Sequence, residues 1–282
     1  MSARARIAAA GALALALLAG LAAGAAAAAQ QTAAERGAAK AKGFRVLVFS
    51  RTTGFRHYSI PTGVTAIHQL GAQYGFRVDN TEDPSVFRPR KLSRYAVVVF
   101  LNTTGTVLDA KHKRALRRYI VRRGGGYVGI HSAADTEHEW PFYERLVGAL
   151  FLSHPLLEQP GRFANEAPNH PATKHLDPSF WAFDEFYSFK RNPRERVRVL
   201  LSVDESTYLQ DPNTSLLGGP VVSGKMGDHP MSWCHDVGRG RSFYTALGHE
   251  AYLYGVAWYR RHILGGIRVA AGAVKANCSP RR

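Results

Sequence analysis

Short apolar runs alternate with amphipathic stretches through the first half of the chain. The apolar runs are residues 44–49, 76–78, 95–101 and 127–130. A helical period covers residues 60–74 and stops at Gly75, and a second covers residues 109–123 and stops at Gly124. Strand, helix, strand, strand, helix and strand in this order predict an α/β fold with a doubly wound parallel sheet.

The second half of the chain has a different pattern. Residues 150–175 are rich in Pro, His and Asn, which predicts an irregular excursion or a short added hairpin. Strand patterns resume at residues 183–190, 197–203, 231–235 and 241–247. A final helix is predicted over about 251–269, and the later strands are expected to pair antiparallel at one edge of the sheet. No repeat or linker divides residues 44–270, so we expect one domain, followed by a disordered tail at 271–282.

The N-terminus has the pattern of a secretory signal peptide. Two arginines precede a long run of Ala, Leu and Gly that ends in small residues at Ala29. We therefore expect residues 1–29 to be cleaved, residues 30–43 to form a flexible leader, and the protein to be secreted or extracytoplasmic. The alternative is a retained anchor, since the run approaches the roughly 20 residues that span a bilayer.

The charge and the cysteine content limit which binding partners and which disulfide we expect. The formal net charge of +16 is spread along the chain, without the basic stripe or recognisable module of a nucleic-acid-binding protein. We expect no nucleic-acid partner, and no membrane association after signal cleavage, whereas assembly into a homo-oligomer stays open. Cys234 and Cys278 could pair in an oxidising compartment, but a mid-strand position for one and a frayed tail for the other argue against it.

Polar side chains follow the predicted strands at their carboxyl ends, where the loops of a parallel sheet converge on ligands. The loops after the first, third and fourth strands supply Thr53, Arg56, His57, Asn102, His131, Ser132 and Asp135. Later turns supply His154, Glu185, Tyr187, His249 and Glu250. We predict that these loops meet at one rim and form the site.

The turn after residues 127–130 gives the sharpest local signal. A strand that ends on Gly129-Ile130 and bends at once into a helix presents one side chain at the sheet edge, as in a nucleophile elbow. Here that side chain is His131, which suits proton transfer or metal ligation. Ser132 as a nucleophile is disfavoured, because a triad needs a base and an orienting group that the sequence does not define.

The histidines also raise a metal hypothesis. His131, His154 and His249 with a carboxylate would suit zinc, which takes nitrogen and oxygen ligands. No His-Glu-x-x-His or paired-cysteine motif is present. The alternative, in which these histidines bind loops and ligand hydroxyls without a metal, therefore stays open.

Four segments together resemble the ThuA-like (trehalose utilisation) family over residues 44 to about 268. They are Thr53-Gly54-Phe55-Arg56-His57, the run from Gly124 to Ala133, Asp184-Glu185-Phe186-Tyr187, and the run from Gly238 to His249. The resemblance implies a flavodoxin-like three-layer α/β sandwich of the class I glutamine amidotransferase superfamily. It also implies a role in breaking down glycosides or 3-keto sugars. The glutaminases carry a cysteine where this chain has His131, so glutamine hydrolysis is excluded.

The leading hypothesis is an exported protein that processes a glycoside or keto-sugar by acid/base chemistry, as a hydrolase, lyase or isomerase. His131 or His57, with Glu185 or Asp135, would move protons. The residues expected to bind the sugar are Thr53, Arg56, Asn102, Ser132, Tyr187, His249 and Glu250. The alternatives are a non-catalytic carbohydrate-binding module of the same fold and a metal-dependent hydrolase of another substrate.

Overall fold

The computed structural model describes residues 43–210 and 224–281. Its strands are β1 (Arg45–Phe49), β2 (Arg77–Thr81), β3 (Val97–Leu101), β4 (Gly126–Ile130), β5 (Phe151–Ser153), β6 (Gln159–Asn165), β7 (Ser179–Asp184), β8 (Ser188–Phe189), β9 (Arg198–Val203), β10 (Pro230–Val237) and β11 (Gly240–Thr245). Its helices are α1 (Ile60–Tyr74), α2 (Pro89–Leu92), α3 (Ala110–Arg123), α4 (Pro141–Val147) and α5 (Ala257–Ala270).

Within the described residues, nine strands form one sheet in the order β2-β1-β3-β4-β11-β10-β9-β6-β7. The pairs β1–β2, β1–β3, β3–β4 and β4–β11 are parallel, and the remaining pairs are antiparallel. The parallel half has the flavodoxin-like order, with β11 as its fifth strand. The predicted doubly wound sheet with antiparallel strands at one edge is confirmed.

Helices cover both faces of the sheet, which makes three layers. Every residue of β3 is buried, and successive side chains of a strand point to opposite faces. The ring of Phe100 lies 5.8 Å from that of Tyr143 in α4. Leu101 packs on the other face, so closely under α1 that a Cβ at Gly63 would lie 3.0 Å from it. The fully apolar strands therefore follow from burial on both sides.

The ends of the helices agree with their sequence signals. Gly75 and Gly124, with φ of 78° and 75°, form the left-handed C-caps of α1 and α3. The side chain of Asp109 accepts a hydrogen bond from the backbone N–H of His112 at 2.8 Å and caps the N-terminus of α3.

The prediction for residues 150–175 is wrong in part. Residues 159–165 form β6, which pairs with β7 and β9 inside the central sheet. The strand is half-buried, and its polar composition masks a two-residue alternation in which Gly161 and Phe163 face the core. The strand expected at 183–190 is split between β7 and β8, and the final helix begins at Ala257 after a 3₁₀ turn.

The end of the chain is fixed to the domain. Cys234 in β10 and Cys278 form a disulfide, and both are buried. The expectation against pairing is therefore wrong, and residues up to 281 do not form the disordered tail predicted from 271. The predicted signal peptide and nearly all of the predicted leader lie outside the described residues. Among the described helices, none is long and apolar enough to cross a membrane.

Candidate active site

Four buried side chains converge at the carboxyl end of the parallel strands. His57 follows β1, His131 follows β4 directly, Glu185 follows β7 and His249 follows β11. One ligand atom from each of the four lies within 4.8 Å of the other three. The loops that meet here are thus distant in sequence and are brought together by the strand order of the sheet.

The bend after β4 presents His131 to this cluster. His131 has a φ of 49°, in the left-handed region that side-chain-bearing residues rarely adopt, and it begins a 3₁₀ turn. The Tyr244 hydroxyl donates to the His131 carbonyl at 2.8 Å and helps to hold this backbone. Such strain persists only where the surroundings enforce it, and it is characteristic of functional sites.

Each of the three histidines has one ring nitrogen held by a group outside the cluster. Nδ1 of His131 lies 2.8 Å from the carbonyl oxygen of Ala246. Because a carbonyl oxygen only accepts, Nδ1 carries the proton and Nε2 of the neutral ring presents a lone pair. Nε2 of His249 lies 3.1 Å from Oε1 of Glu158, which in the same way directs the lone pair of its Nδ1 inward.

His57 completes the arrangement. Its Nδ1 lies 3.2 Å from Oγ of Ser132, and its Nε2 lies 3.1 Å from Nε2 of His131. A carbonyl, a carboxylate and a hydroxyl therefore hold the outer nitrogens of the three rings. Metal-binding histidines are characteristically oriented by such partners on the nitrogen that does not bind the ion.

The inner atoms of the cluster are the ring nitrogens and the carboxylate oxygen that face one another. They repel one another unless a cation lies among them. Oε2 of Glu185 is 3.3 Å from Nε2 of His131 and 3.2 Å from Nδ1 of His249, so a carboxylate oxygen faces two lone pairs. Nδ1 of His249 is 3.3 Å from Nε2 of His131. A proton or a metal ion resolves this conflict.

The spacing of the inner atoms fits a small metal ion. A tetrahedral zinc ion, with ligands at about 2.0–2.2 Å, has ligand-to-ligand distances of about 3.3–3.6 Å. Four of the six distances among the ligand atoms of His57, His131, His249 and Glu185 are 3.1–3.3 Å, and all six are within 4.8 Å. A second set, His170 with Cys234 and Cys278, is no comparable candidate because the disulfide consumes both thiols.

The pKa values of the groups in the cluster depend on one another. Burial raises the pKa of Glu185, but the adjacent imidazoles of His131 and His249 outweigh burial and hold that pKa well below its usual value. Burial lowers the pKa of His57 to about 2, and the neighbouring imidazoles of His131 and His249 lower it further. His57 is therefore neutral and able to donate a lone pair.

Asp184 positions the loop that carries His249. Its fully buried carboxylate accepts hydrogen bonds from the backbone N–H of Gly248 at 2.6 Å and of Glu250 at 2.9 Å. Burial raises its pKa to about 6. Asp184 is one of the polar residues in the later turns but was not among the predicted site residues, and its place next to Glu185 was the available signal.

His154 and Tyr187 surround the cluster without entering it. Nδ1 of His154 lies 3.1 Å from Oε1 of Glu185, the oxygen that faces away from the other histidines. His154 was predicted as a ligand with His131, His249 and a carboxylate, but the close set contains His57 instead of His154. The Tyr187 ring lies 4.3 Å from that of His131 and packs against it.

Other predicted site residues make local contacts instead. Asp135 pairs with His138 at 2.7 Å, and Arg56 pairs with Glu82 at 2.7 Å on the surface. Thr53 donates its hydroxyl hydrogen to carbonyl oxygens in the loop after β3. None of these three side chains has a recorded contact with the histidine cluster among the described residues.

Asn102 and Glu250 support the rim of the site. The Asn102 amide is buried and donates to Oγ of Ser59 and to the carbonyl of Gly248, both at 3.0 Å. Glu250 accepts a hydrogen bond from the Tyr58 hydroxyl at 2.6 Å. Tyr58 and Glu158 were not predicted, because an exposed helix-start tyrosine and a glutamate in an irregular segment carry no sequence signal.

The fold and the cluster define a flavodoxin-like α/β protein with a buried centre of three histidines and one carboxylate. The chain belongs to the ThuA family, described as trehalose utilisation, whose model matches residues 45–270. The resemblance inferred from the sequence is thereby confirmed. No curated protein matches the chain.

Two solved structures have similar folds. One is a protein of Bacteroides uniformis ATCC 8492 described as ThuA-like, with 26% identity, a TM-score of 0.66, and coverage of 80% of this chain and 90% of that chain. The other is a protein of Parabacteroides merdae ATCC 43184 described as ThuA-like, with 20% identity, a TM-score of 0.64, and coverage of 85% and 98%.

Proposed function

We propose that this protein is an exported, metal-assisted enzyme that acts on a glycoside or keto-sugar by acid/base chemistry. The observation that carries the proposal is the set of inner atoms from His57, His131, His249 and Glu185, with each imidazole oriented by a partner on its outer nitrogen. The family's trehalose context supports the substrate class.

Zinc is the ion that this set of ligands favours. Three imidazole nitrogens and one carboxylate oxygen suit a borderline-soft divalent ion better than magnesium or calcium, which prefer oxygen ligands. A bound ion would polarise a carbonyl or hydroxyl oxygen of the sugar. A carbon next to such a carbonyl loses a proton more readily, which leads to isomerisation or to elimination of the glycoside.

Glu185 would bind the ion through Oε2, and its other oxygen, Oε1, is the group best placed to accept that proton. One of its oxygens faces the cluster and the other contacts His154, which is more exposed and can exchange protons with solvent. The imidazoles of His57, His131 and His249 would stay as ligands. The sequence left His57, His131, Glu185 and Asp135 as candidate bases, and this assignment keeps Glu185. It excludes Asp135 because that carboxylate is paired with His138.

Exposed aromatic rings beside the cluster support a sugar as the ligand. Phe55 is 65% exposed and its ring lies 4.8 Å from that of His57, and Tyr58 is 58% exposed with its ring 6.0 Å from that of His249. Exposed aromatic side chains next to polar groups mark binding sites. Such rings can pack against the C–H faces of a sugar while Glu158 and Glu250 accept hydrogen bonds from its hydroxyls.

The test is turnover of 3-keto-glycosides by the purified protein, with and without a chelator and after zinc is restored. We expect product formation that the chelator abolishes and zinc recovers, and that His131→Ala lacks. His68→Ala is the matched control, because His68 is exposed on α1. Wild-type turnover that survives complete metal removal would contradict metal assistance.

The exposed rings of Phe55 and Tyr58 also favour a second candidate, a non-catalytic carbohydrate-binding module. Calorimetry with disaccharides would show binding in both cases, so product analysis separates them. Sugar binding without product from any glycoside or 3-keto-glycoside tested would favour the module.

Export is supported by the signal-like pattern of residues 1–29 and by the Cys234–Cys278 disulfide, which is typical of oxidising compartments. Expression of the full chain in a bacterial host, followed by N-terminal sequencing of the protein recovered outside the cytoplasm, tests it. We expect cleavage near Ala29. Full-length protein confined to the cytoplasm would contradict export.

A further inference from the structure

A cavity lies at the opposite end of the parallel strands from the histidine cluster. It has a volume of about 410 Å³, and its lining includes Val121 near the end of α3 and Val237 and Gly238 just before β11. These residues precede β4 and β11, whereas His131 and His249 follow them. Strands of five and six residues, at about 3.3 Å per residue, separate the two places by about 15–20 Å.

The cavity combines an apolar floor with a basic mouth. Phe142 and Val197 line it and are buried. Arg117, Arg145 and Arg196 line it as well, and their side chains are exposed. An apolar pocket with a few charged groups at its opening is the usual form of a small-molecule site.

The three arginines make contacts other than ion pairs, and Nη2 of Arg196 donates a hydrogen bond to the carbonyl oxygen of Gly148 at 3.4 Å. The guanidinium carbon of Arg117 lies 5.7 Å from the Phe142 ring centre and that of Arg145 lies 6.0 Å from it. Across residues 43–210 and 224–281, Arg117, Arg145 and Arg196 form no ion pair within 4.0 Å. The acidic residue of the lining, Asp236, lies 3.2 Å from Arg241. The mouth therefore attracts anions, since its positive charge is not neutralised locally.

His235 adds an unsatisfied polar atom to the lining. Its Nε2 lies 2.8 Å from the carbonyl oxygen of Arg145, so Nε2 donates and Nδ1 presents a lone pair. Nδ1 is buried and has no hydrogen-bond partner among the described residues. Buried polar atoms are nearly always paired, and a ligand that reaches Nδ1 with a hydroxyl or amide N–H would pair this one.

We propose that this cavity is a second ligand site, which binds a small amphiphilic anion. Its carboxylate or phosphate group contacts Arg117, Arg145 and Arg196, and its apolar part packs on Phe142 and Val197. Guanidinium groups suit this role because they form paired, charge-assisted hydrogen bonds with such oxyanions. This cavity is separate from the histidine cluster. The sugar chemistry proposed at the cluster therefore does not depend on a ligand in the cavity.

The experiment titrates the full chain with octyl phosphate by calorimetry, below the micelle concentration. Inorganic phosphate tests the anion alone, and octylammonium tests the apolar chain with the opposite charge. We expect octyl phosphate to bind about tenfold or more tightly than either, and to weaken as salt is raised. R117Q/R196Q should weaken it about tenfold or more, whereas R114Q/R123Q, with the same loss of charge on exposed residues outside the cavity, should not.

Circular dichroism and thermal unfolding verify that both double variants fold. Equal weakening in the two variants would overturn the proposal, because the general charge of α3 would then explain binding. So would the absence of octyl phosphate binding. Flotation with phosphatidylglycerol vesicles separates a lipid source from a free anion: vesicle binding without binding of monomeric octyl phosphate also overturns it.

Discussion

Nε2 of His131 lies 3.3 Å from Oε2 of Glu185, and both atoms are acceptors when the imidazole is neutral. The proton of His131 is committed to the Ala246 carbonyl through Nδ1. The pair is therefore favourable only with a positive charge between the two atoms, which either a proton or a metal ion supplies.

The first prediction concerns metal content. Zinc bound per chain, measured by elemental analysis after dialysis, should be near one in the wild type and should fall by at least tenfold in Glu185→Gln. Glu195→Gln, a change at an exposed carboxylate, is the matched control. Added zinc should raise the Tm of the wild type and of the control but not of Glu185→Gln, because only a native site links binding to stability. An unchanged zinc content in Glu185→Gln would exclude Glu185 as a ligand.

The second prediction concerns Asp184 as a positioning residue. In Asp184→Asn the amide keeps one acceptor oxygen and turns an N–H₂ group toward a backbone N–H, so either Gly248 or Glu250 loses its partner. Zinc affinity should fall about 10–100-fold, as for other groups that orient ligands. The free energy of unfolding should fall by about 1–3 kcal/mol. Urea titration and zinc titration measure the two effects, with Asp177→Asn at an exposed position as the control. Wild-type zinc affinity in folded Asp184→Asn would rule out this role.

The parallel half of the fold could be predicted because each element carries a local signal. Strands buried on both faces are continuously apolar, and Gly75 and Gly124 end their helices by adopting positive φ. The rule that ligands bind at the carboxyl ends of parallel strands then predicts from the sequence that His57, His131 and His249 lie at one rim.

The rest depends on contacts between distant segments. Only Gly161 and Phe163 of β6 are buried, and its other residues, with Gln, Pro, Arg and Asn among them, suggested a loop. Glu158 lies just before that strand, and only tertiary structure brings it to Nε2 of His249. The disulfide likewise depends on where the C-terminal segment packs, which cysteine spacing does not specify.

The third prediction concerns that disulfide. It closes a loop with a sequence separation of 44, for which the chain-entropy estimate is about 4 kcal/mol. The double variant Cys234→Ala/Cys278→Ala should therefore lose about 2–4 kcal/mol in the free energy of unfolding, measured by urea titration. A reducing agent should lower the free energy of unfolding of the wild type to a similar degree and leave that of the variant unchanged. A variant as stable as the oxidised wild type would contradict the assignment.

The fourth prediction concerns pH. Nδ1 of the buried His170 accepts a hydrogen bond from the backbone N–H of Ala172 at 3.2 Å, which protonation would break. Burial lowers the pKa of His170 to about 4, and the positive charges of Arg198 and Arg241 add to this effect. The neighbouring titratable ring is that of His262, and the Cys234 sulfur lies 3.5 Å from Nε2 of His170.

The folded-state pKa of His170 lies below the unfolded value of about 6.5, so the unfolded chain binds the proton first. Stability from this group is fully present above about pH 6.5 and is lost as the pH falls toward 4, by on the order of 3 kcal/mol. In urea unfolding at several pH values, His170→Gln should lose less stability on acidification than the wild type. His68→Gln is the exposed control, and an identical decline in all three proteins would count against the prediction.

The fifth prediction concerns Phe55, whose exposed ring packs edge-on against His57. If this ring binds the sugar, Phe55→Ala should raise the KM for the active 3-keto-glycoside about tenfold and change kcat by less than about twofold, because binding that is equal in the ground and transition states affects KM alone. Phe55→Trp keeps an aromatic face and should restore KM, and zinc content should be the same in all three proteins. A fall in kcat at unchanged KM would instead place Phe55 in support of His57, and loss of zinc in Phe55→Ala would show that the ring holds the imidazole in position for the metal rather than the sugar.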